Sequence, residues 1–338
     1  MEDFRSTVKI QICSVLAPRI AEIVEKLRDN VLYKISEIRL RVGQPLLIVL
    51  DTKDIMVGLD GQPVVSLDKA YHCSNDDIKR TFQMISRNSL YALEEELRSG
   101  YVTISGGHRV GLTGQAIMEN GNLKAMKHIN ALNFRIAREI PGNGENIIHY
   151  LLRNKKQVLN TLIISPPRCG KTTLLRDLIR LISMGVPQLN FIGVQVGIVD
   201  ERSEVAACCD GVPSFDLGPR TDVLDACPKA GGMLMLIRAM SPAVIATDEL
   251  GRAEDAEAVK EAVNAGVSVI ASVHGYDVEN IRCRPYVSQL IEEKVFHRYV
   301  VLSSRLGPGT IEKIIDGKAE QILFDGRSGS GNEVKICG

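Results

Sequence analysis

At 338 residues the chain is too long for one ordinary domain and suits two, each large enough to bury its own core. Its 41 basic and 41 acidic residues cancel, and 7 Phe and 8 Tyr without any Trp offer little for a basic, base-stacking surface, so no nucleic-acid partner is expected. Eight cysteines with no Cys-x-x-Cys pair and no matching histidine spacing argue against a zinc site or a disulfide framework and fit a reducing cytosol.

The opening MEDFRSTVKI lacks a signal-peptide pattern, and apolar stretches such as PLLIVL (45–50) fall far short of a membrane span. A cytoplasmic protein is expected, able to reach a membrane only through a protein partner. From Glu37 to Val42, apolar Ile38, Leu40 and Val42 alternate with Glu37, Arg39 and Arg41, the pattern of a strand with one buried face. Residues 75–98 predict a helix. YVTIS (101–105), Gly106-Gly107 and HRVGLTG (108–114) predict a hairpin, and LNFRIA (132–137) a further strand. Residues 1–145 are therefore expected to form a smaller α+β domain, ending at the turn-rich PGNGEN (141–146).

Residues 146–338 follow another rhythm, in which apolar strands alternate with helices as in a parallel sheet covered on both faces. TLIIS (161–165) is the first such strand. A helix over 172–183 follows, with Leu175, Leu178, Ile179 and Ile182 on one stripe. Further strands are predicted at VGIVD (196–200), AVIAT (243–247), VSVIAS (267–272) and YVVLS (299–303), with a helix over about 253–264 closed by Gly266. The tail from about residue 325 is expected to be disordered.

Between the first strand and its helix lies ISPPRCGKTT (164–173), close to the phosphate loop Gly-x-x-x-x-Gly-Lys-Ser/Thr but with Ser165 in place of the first glycine. The loop offers Ser165, Pro166, Pro167, Arg168, Cys169, Gly170, Lys171, Thr172 and Thr173 as nucleotide-binding residues. Backbone N–H groups and the positive helix end would meet phosphate oxygens, Lys171 would reach the β- and γ-phosphates, and Thr172 would help hold Mg²⁺. If the first position needed φ > 0, Ser165 would be strained where glycine is not. ATP and Mg²⁺ are the expected ligands.

Two acidic pairs end later strands: Asp200-Glu201 after VGIV, and Asp248-Glu249 after AVIAT. Asp248 and Asp200 are candidate metal ligands. Glu249 and Glu201 are candidate activators of water, and Asp248-Glu249 is preferred as the hydrolytic pair because its strand is the cleaner apolar run. His274, in SVHGYD (272–277), falls at the end of another strand, where an imidazole could sense a γ-phosphate.

The order of phosphate loop, two acidic pairs and strand-end histidine resembles the secretion ATPases of type II and type IV pilus systems, with their Walker A, Asp box, Walker B and His box. EIRLRVGQP (37–45), GGHRVGLTG (106–114), VGIVDERSEVAA (196–207), GPRTDVLD (218–225) and MLIRAMSPAVIATDELGR (235–252) more closely resemble the stage III sporulation protein AA family. The resemblance covers nearly the whole chain. It implies a RecA-like P-loop NTPase core with a smaller N-terminal α+β domain that covers the nucleotide and contacts neighbours. It also implies a homo-oligomer, a hexamer, that hydrolyses ATP to power or assemble a membrane channel complex with integral membrane proteins during endospore formation. Where the secretion ATPases usually have Gly-Glu, this chain has Asp248-Glu249. Their arginine before that strand falls one residue from Arg238. A nucleotide-gated scaffold, a nucleic-acid translocase and a small-molecule kinase on the same core stay open as alternatives. Arg135, Arg138, Arg220 and Arg252 are candidates for an arginine supplied between subunits.

Overall fold

A computed structural model of the protein describes residues 8–50, 53–86, 100–119, 121–137 and 142–327. By internal contacts the chain divides into two compact units, one of residues 1–138 with 207–214, the other of residues 139–206 with 215–338. The boundary expected from turn residues stands at 145/146; the short insert 207–214 had no counterpart in the sequence analysis.

The first unit is built on a seven-stranded sheet of β1 (Ile35–Arg41), β2 (Leu47–Leu50), β3 (Asp54–Val57), β4 (Pro63–Val64), β5 (Tyr101–Ile104), β6 (His108–Glu119) and β7 (Asn122–Arg135), in the order β4-β3-β2-β1-β7-β6-β5. Ile35, Ile38 and Leu40 of β1 are buried, and the strand stops at Arg41, leaving Val42 exposed. The β5–β6 hairpin turns through Gly106 and Gly107, both at positive φ, which only glycine adopts without strain. The strand expected at 132–137 is the end of the longer β7. Helix α1 (Pro18–Glu25) has proline in its first turn, and α2 (Asn75–Ile85) has a capping box between Ser74 and Asp77. Residues 87–98 of the expected helix lie outside the described residues. Ile20, Ile23, Leu32, Ile48 and Phe134 close the core of this unit.

The second unit carries an eight-stranded sheet: β8 (Thr161–Ser165), β9 (Val196–Asp200), β10 (Thr221–Asp225), β11 (Val244–Thr247), β12 (Ser268–His274), β13 (Arg298–Ser303), β14 (Thr310–Asp316) and β15 (Ile322–Asp325). Their order is β10-β9-β11-β12-β8-β13-β14-β15. The pairings from β10 through β13 are parallel, and β14 and β15 join antiparallel. Fully buried β8, β9 and β11 explain why these segments read as continuous apolar runs. Each fully buried Val, Leu or Ile contributes about 1.5–3 kcal/mol of transfer free energy. Helix α3 (Lys171–Met184) buries Leu174, Leu175, Leu178, Ile179 and Ile182, α4 (Lys229–Met240) buries Met233 and Leu236, and α5 (Ala253–Asn264) buries Val259 and Ala262.

Parallel pairing is what makes a site. It brings the carboxyl ends of β8, β9, β11 and β12 to one sheet edge, with Ser165 opposite His274 and Val199 opposite Thr247. The next strand of this sheet in sequence, β9, is separated from β8 by β11 and β12, and β8 sits between β12 and β13, so the phosphate-loop candidate opens at the carboxyl ends where the strand order changes direction, the usual crevice of such sheets. Among the described residues no helix is long and apolar enough to cross a membrane.

Candidate functional site

Ser165 ends β8 fully buried, and its Oγ donates to the carbonyl of Pro166 at 2.9 Å. It is not among the residues at positive φ. The left-handed positions in the loop are Arg168 (φ 60°) and Gly170 (φ 83°). The lost first glycine therefore carries no left-handed strain. At Gly170 the requirement is real: besides the positive φ, an added Cβ would stand 2.8 Å from the backbone nitrogen of Gly309. Gly309 N–H donates to the carbonyl of Cys169 at 2.9 Å, tying the loop to the β13–β14 connection. Cys169 is itself buried, whereas Pro167 and Arg168 are exposed and Pro166 is half-buried.

Gly170 caps α3 without any side-chain hydrogen bond. The first N–H groups of this 14-residue helix, those of Lys171, Thr172 and Thr173, thus have no capping side chain. Lys171 is buried, with Nζ 3.4 Å from Asp248 Oδ1. Thr172 Oγ1 donates to Asp248 Oδ2 at 2.7 Å, and Ser272 Oγ donates to Asp248 Oδ1. Burial pushes the Asp248 carboxyl up, but Lys171 and the hydroxyls of Ser272 and Thr172 outweigh it and hold the group below its ordinary value.

Glu249 has a left-handed backbone (φ 58°), costing about 1–2 kcal/mol for a non-glycine residue. Two bonds to Ser272 hold it there: Glu249 N–H donates to Ser272 Oγ at 2.9 Å, and Leu250 N–H donates to Ser272 O at 2.8 Å. The carboxylate turns outward between a guanidinium and an imidazole, with Arg202 Nη1 2.7 Å from Oε2 and His274 Nε2 3.4 Å from Oε1. His274 Nδ1 is buried and has no hydrogen-bond partner.

The other acidic pair is differently employed. Asp200 is buried, and its two oxygens accept from the N–H groups of Glu204, Val205 and Ala206 at 2.8–2.9 Å. Burial pushes its carboxyl up from the ordinary value, more than those amides lower it. The carboxylate expected beside a metal is thus spent on the turn that follows β9. Glu201 pairs with Lys229 Nζ, at the start of α4, and lies 3.8 Å from Arg252 Nη1. Burial raises its carboxyl, but the Lys229 bond and charge prevail and leave it below the ordinary value.

Of the four candidate arginines, Arg220 donates from Nη1 to the carbonyl of Ser183 at 2.7 Å, closing the end of α3, and Arg252 stands beside Glu201. Arg135 ends β7 in the first unit, and Arg138 lies outside the described residues. Arg238 is exposed on α4. Three residues of the site were not singled out from sequence: Ser272, Lys229 and Arg202. The first stands two positions before His274 on the same strand, so strand alternation alone could have found it.

Hard oxygen donors, Thr172 Oγ1 and Asp248 Oδ2, lie together at a helix N-terminus beside a lysine. That set suits Mg²⁺, which takes one or two protein oxygens and keeps its remaining positions for water and phosphate.

The profile of the family "Sporulation stage III, protein AA" matches residues 6–322. Stage III sporulation protein AA of Bacillus subtilis (strain 168) is 45% identical over 306 residues, which is 90% of this chain and 94% of that protein. The protein ycf45 of Cyanidium caldarium is 30% identical over 166 residues, covering 48% of this chain and 46% of its own length. Among solved structures, the ATPase DotB of Legionella pneumophila superposes with a TM-score of 0.52 at 16% identity, covering 83% of this chain and 74% of that one. The pilus retraction motor PilT with bound ADP gives 0.50 at 17% identity, covering 79% and 73%. These likenesses place the α/β unit in the RecA-like fold of secretion ATPases.

Proposed function

The chain belongs to the sporulation stage III protein AA family, and from that premise we propose that it is a Mg²⁺-dependent ATPase working as a ring of copies. The single observation that carries this reading is the Lys171–Asp248–Thr172 cluster at the uncapped start of α3. It joins a phosphate-seeking cation, a metal-seeking oxygen pair and a run of free amides, which is what a nucleoside triphosphate requires.

In this reading the amides of residues 168–173 cradle the β- and γ-phosphates, and Lys171 leaves Asp248 to neutralise them. Thr172 and Asp248 hold Mg²⁺, which draws charge off the phosphate oxygens when bound. Glu249 orients a water and takes its proton as the water attacks the γ-phosphorus and the bond to the β–γ bridging oxygen breaks, ADP leaving with the electron pair, while His274 fixes the carboxylate from the other side. Asp200 shapes the turn that carries Glu201 and Arg202, and Glu201 anchors the start of α4 through Lys229. The work of hydrolysis serves a membrane channel complex of endospore formation, with the ATPase on its cytoplasmic side, docked on integral membrane proteins.

A second reading, a nucleotide-gated scaffold with little turnover, is favoured by the ion pairs that cover both carboxylates, Lys171 on Asp248 and Arg202 on Glu249. Release of inorganic phosphate from ATP, followed with and without Mg²⁺ over a range of chain concentrations, separates the two. Steady, Mg²⁺-dependent turnover that rises per chain with concentration supports the ring ATPase. Stoichiometric binding without turnover supports the scaffold, and stimulation by added DNA or RNA would point to a translocase.

Ser165→Gly should leave nucleotide affinity within about two-fold, because the serine has no left-handed angle to relieve, and should lower stability by roughly 0.5–1 kcal/mol as a glycine in a strand. Thermal melting and a nucleotide titration check both. A large loss of binding would make the Ser165 hydroxyl a ligand in its own right.

A further inference from the structure

The turn after β9 is held on both edges. Asp200 accepts from the N–H groups of Glu204, Val205 and Ala206, and Arg176 donates to the carbonyls of Glu204 and Val205 at 2.9 and 2.7 Å. Arg176 comes from α3, one turn after Thr172, and its guanidinium stacks on Phe215 with 3.9 Å to the ring centre. Ser203, at φ 52°, donates from Oγ to Asp225 at 2.6 Å. The backbone that bears Arg202 is thereby fastened to the helix that opens with the phosphate loop.

Arg202 is 63% exposed, and across the site its Nη1 donates to Glu249, 47 residues further along. An ion pair so open to water is weak and exchangeable. A terminal phosphate offers the same guanidinium more charge and oxygens arranged for two parallel hydrogen bonds. Lys171 faces a parallel choice, since it pairs with Asp248 where a phosphate would take it.

We propose that Arg202 is the γ-phosphate-sensing cation of this site, held by Glu249 until a triphosphate draws it away. The exchange has two effects at once. It adds a contact that a diphosphate cannot make, and it releases one oxygen of Glu249 for water while His274 still steadies the other. The inference rests on the ATP-site reading above and goes beyond it by naming the element that distinguishes ATP from ADP. It also lets the chain itself supply a second cation at the γ-phosphate, beside Lys171.

The test is a double-mutant cycle read by nucleotide affinity in the full chain, with Mg²⁺, a non-hydrolysable ATP analogue and ADP. Arg202→Ala should weaken the analogue about ten-fold and leave ADP within about two-fold, the scale of one charged hydrogen-bonded contact. Glu249→Ala should tighten the analogue by about two- to five-fold, the scale of an exposed ion pair. In the Arg202→Ala background the Glu249 change should do nothing. Relief of simple repulsion by Glu249 would instead persist there, and that outcome overturns the proposal. So does an equal effect of Arg202→Ala on both nucleotides, or no effect on either. Arg202→Gln gives the same comparison with a polar but uncharged side chain. A wild-type chain that binds neither nucleotide defeats the ATP-site reading itself, whereas the preceding failures leave wild-type binding intact.

Discussion

Lys171→Ala is expected to abolish binding of ATP and ADP, because both nucleotides present the β-phosphate that this buried ammonium would neutralise. The measurement is thermal stabilisation by nucleotide. A ligand at about a hundred times its dissociation constant stabilises the wild type by roughly 2.7 kcal/mol, or about 5–10 °C for a domain of this size, and the variant should show no shift. The substitution also disturbs the empty site. Asp248 keeps its bonds from Ser272 and Thr172 but loses the charge that most opposes its burial, a cost of roughly 1–3 kcal/mol. The sign follows from linkage: a carboxyl held below its unfolded value stabilises the fold above that value and ceases to do so as pH falls through the folded one. The difference between variant and wild type without nucleotide should therefore be full at neutral pH and fade in acid, toward and below the ordinary aspartate range near pH 4. A folded variant with an undiminished nucleotide shift would remove Lys171 from the site.

How much of this site the sequence carries depends on how far apart its parts lie along the chain. The loop and its helix are contiguous, so one strand, one glycine and one lysine in register made them legible. Asp248, Glu249 and His274 were found because strand ends announce themselves as apolar runs that stop at a polar residue. What a carboxylate then touches was not legible. Asp200 and Asp248 both stand at the ends of buried strands, yet one accepts three backbone amides and the other a lysine and two hydroxyls. The difference comes from whether the chain after the strand doubles back, as residues 201–206 do. Strand polarity was hidden toward the two ends of the sheet for a related reason. In β14, Glu312 is buried and Ile311 is half-exposed, the reverse of their hydropathy, because Ser303, Arg305 and Arg327 all bond the Glu312 carboxylate. These bonds hold that carboxyl well down, at about 2, although burial pushes the other way. In β10, TDVLD has no apolar run and is only half-buried, as suits an edge strand, so alternation alone did not mark it.

The two acidic pairs lead to opposite expectations for conservative amide variants. Glu249→Gln should bind ATP at least as tightly as the wild type and lose about 100-fold or more in turnover, since glutamine retains the size and a hydrogen-bonding oxygen but cannot accept the proton of the attacking water. The geometry favours this residue on two counts. Its left-handed backbone turns the side chain away from the strand, and its partners are an exposed, exchangeable arginine and a histidine on the same sheet edge as the phosphate loop. Glu201 has the opposite setting, with one oxygen on buried Lys229, which the α4 start holds in place. Glu201→Gln leaves that ammonium without its counter-charge, so the expected loss is one of stability, with turnover per folded chain changed by less than about ten-fold. Single-turnover phosphate release, together with melting curves, reads both quantities on each variant. Should Glu201→Gln bind nucleotide, melt like the wild type and lose turnover while Glu249→Gln stays active, the water-activating role passes to the pair after β9. In that event the Lys229 contact would have to open when nucleotide binds, as the Arg202 contact does in the present assignment.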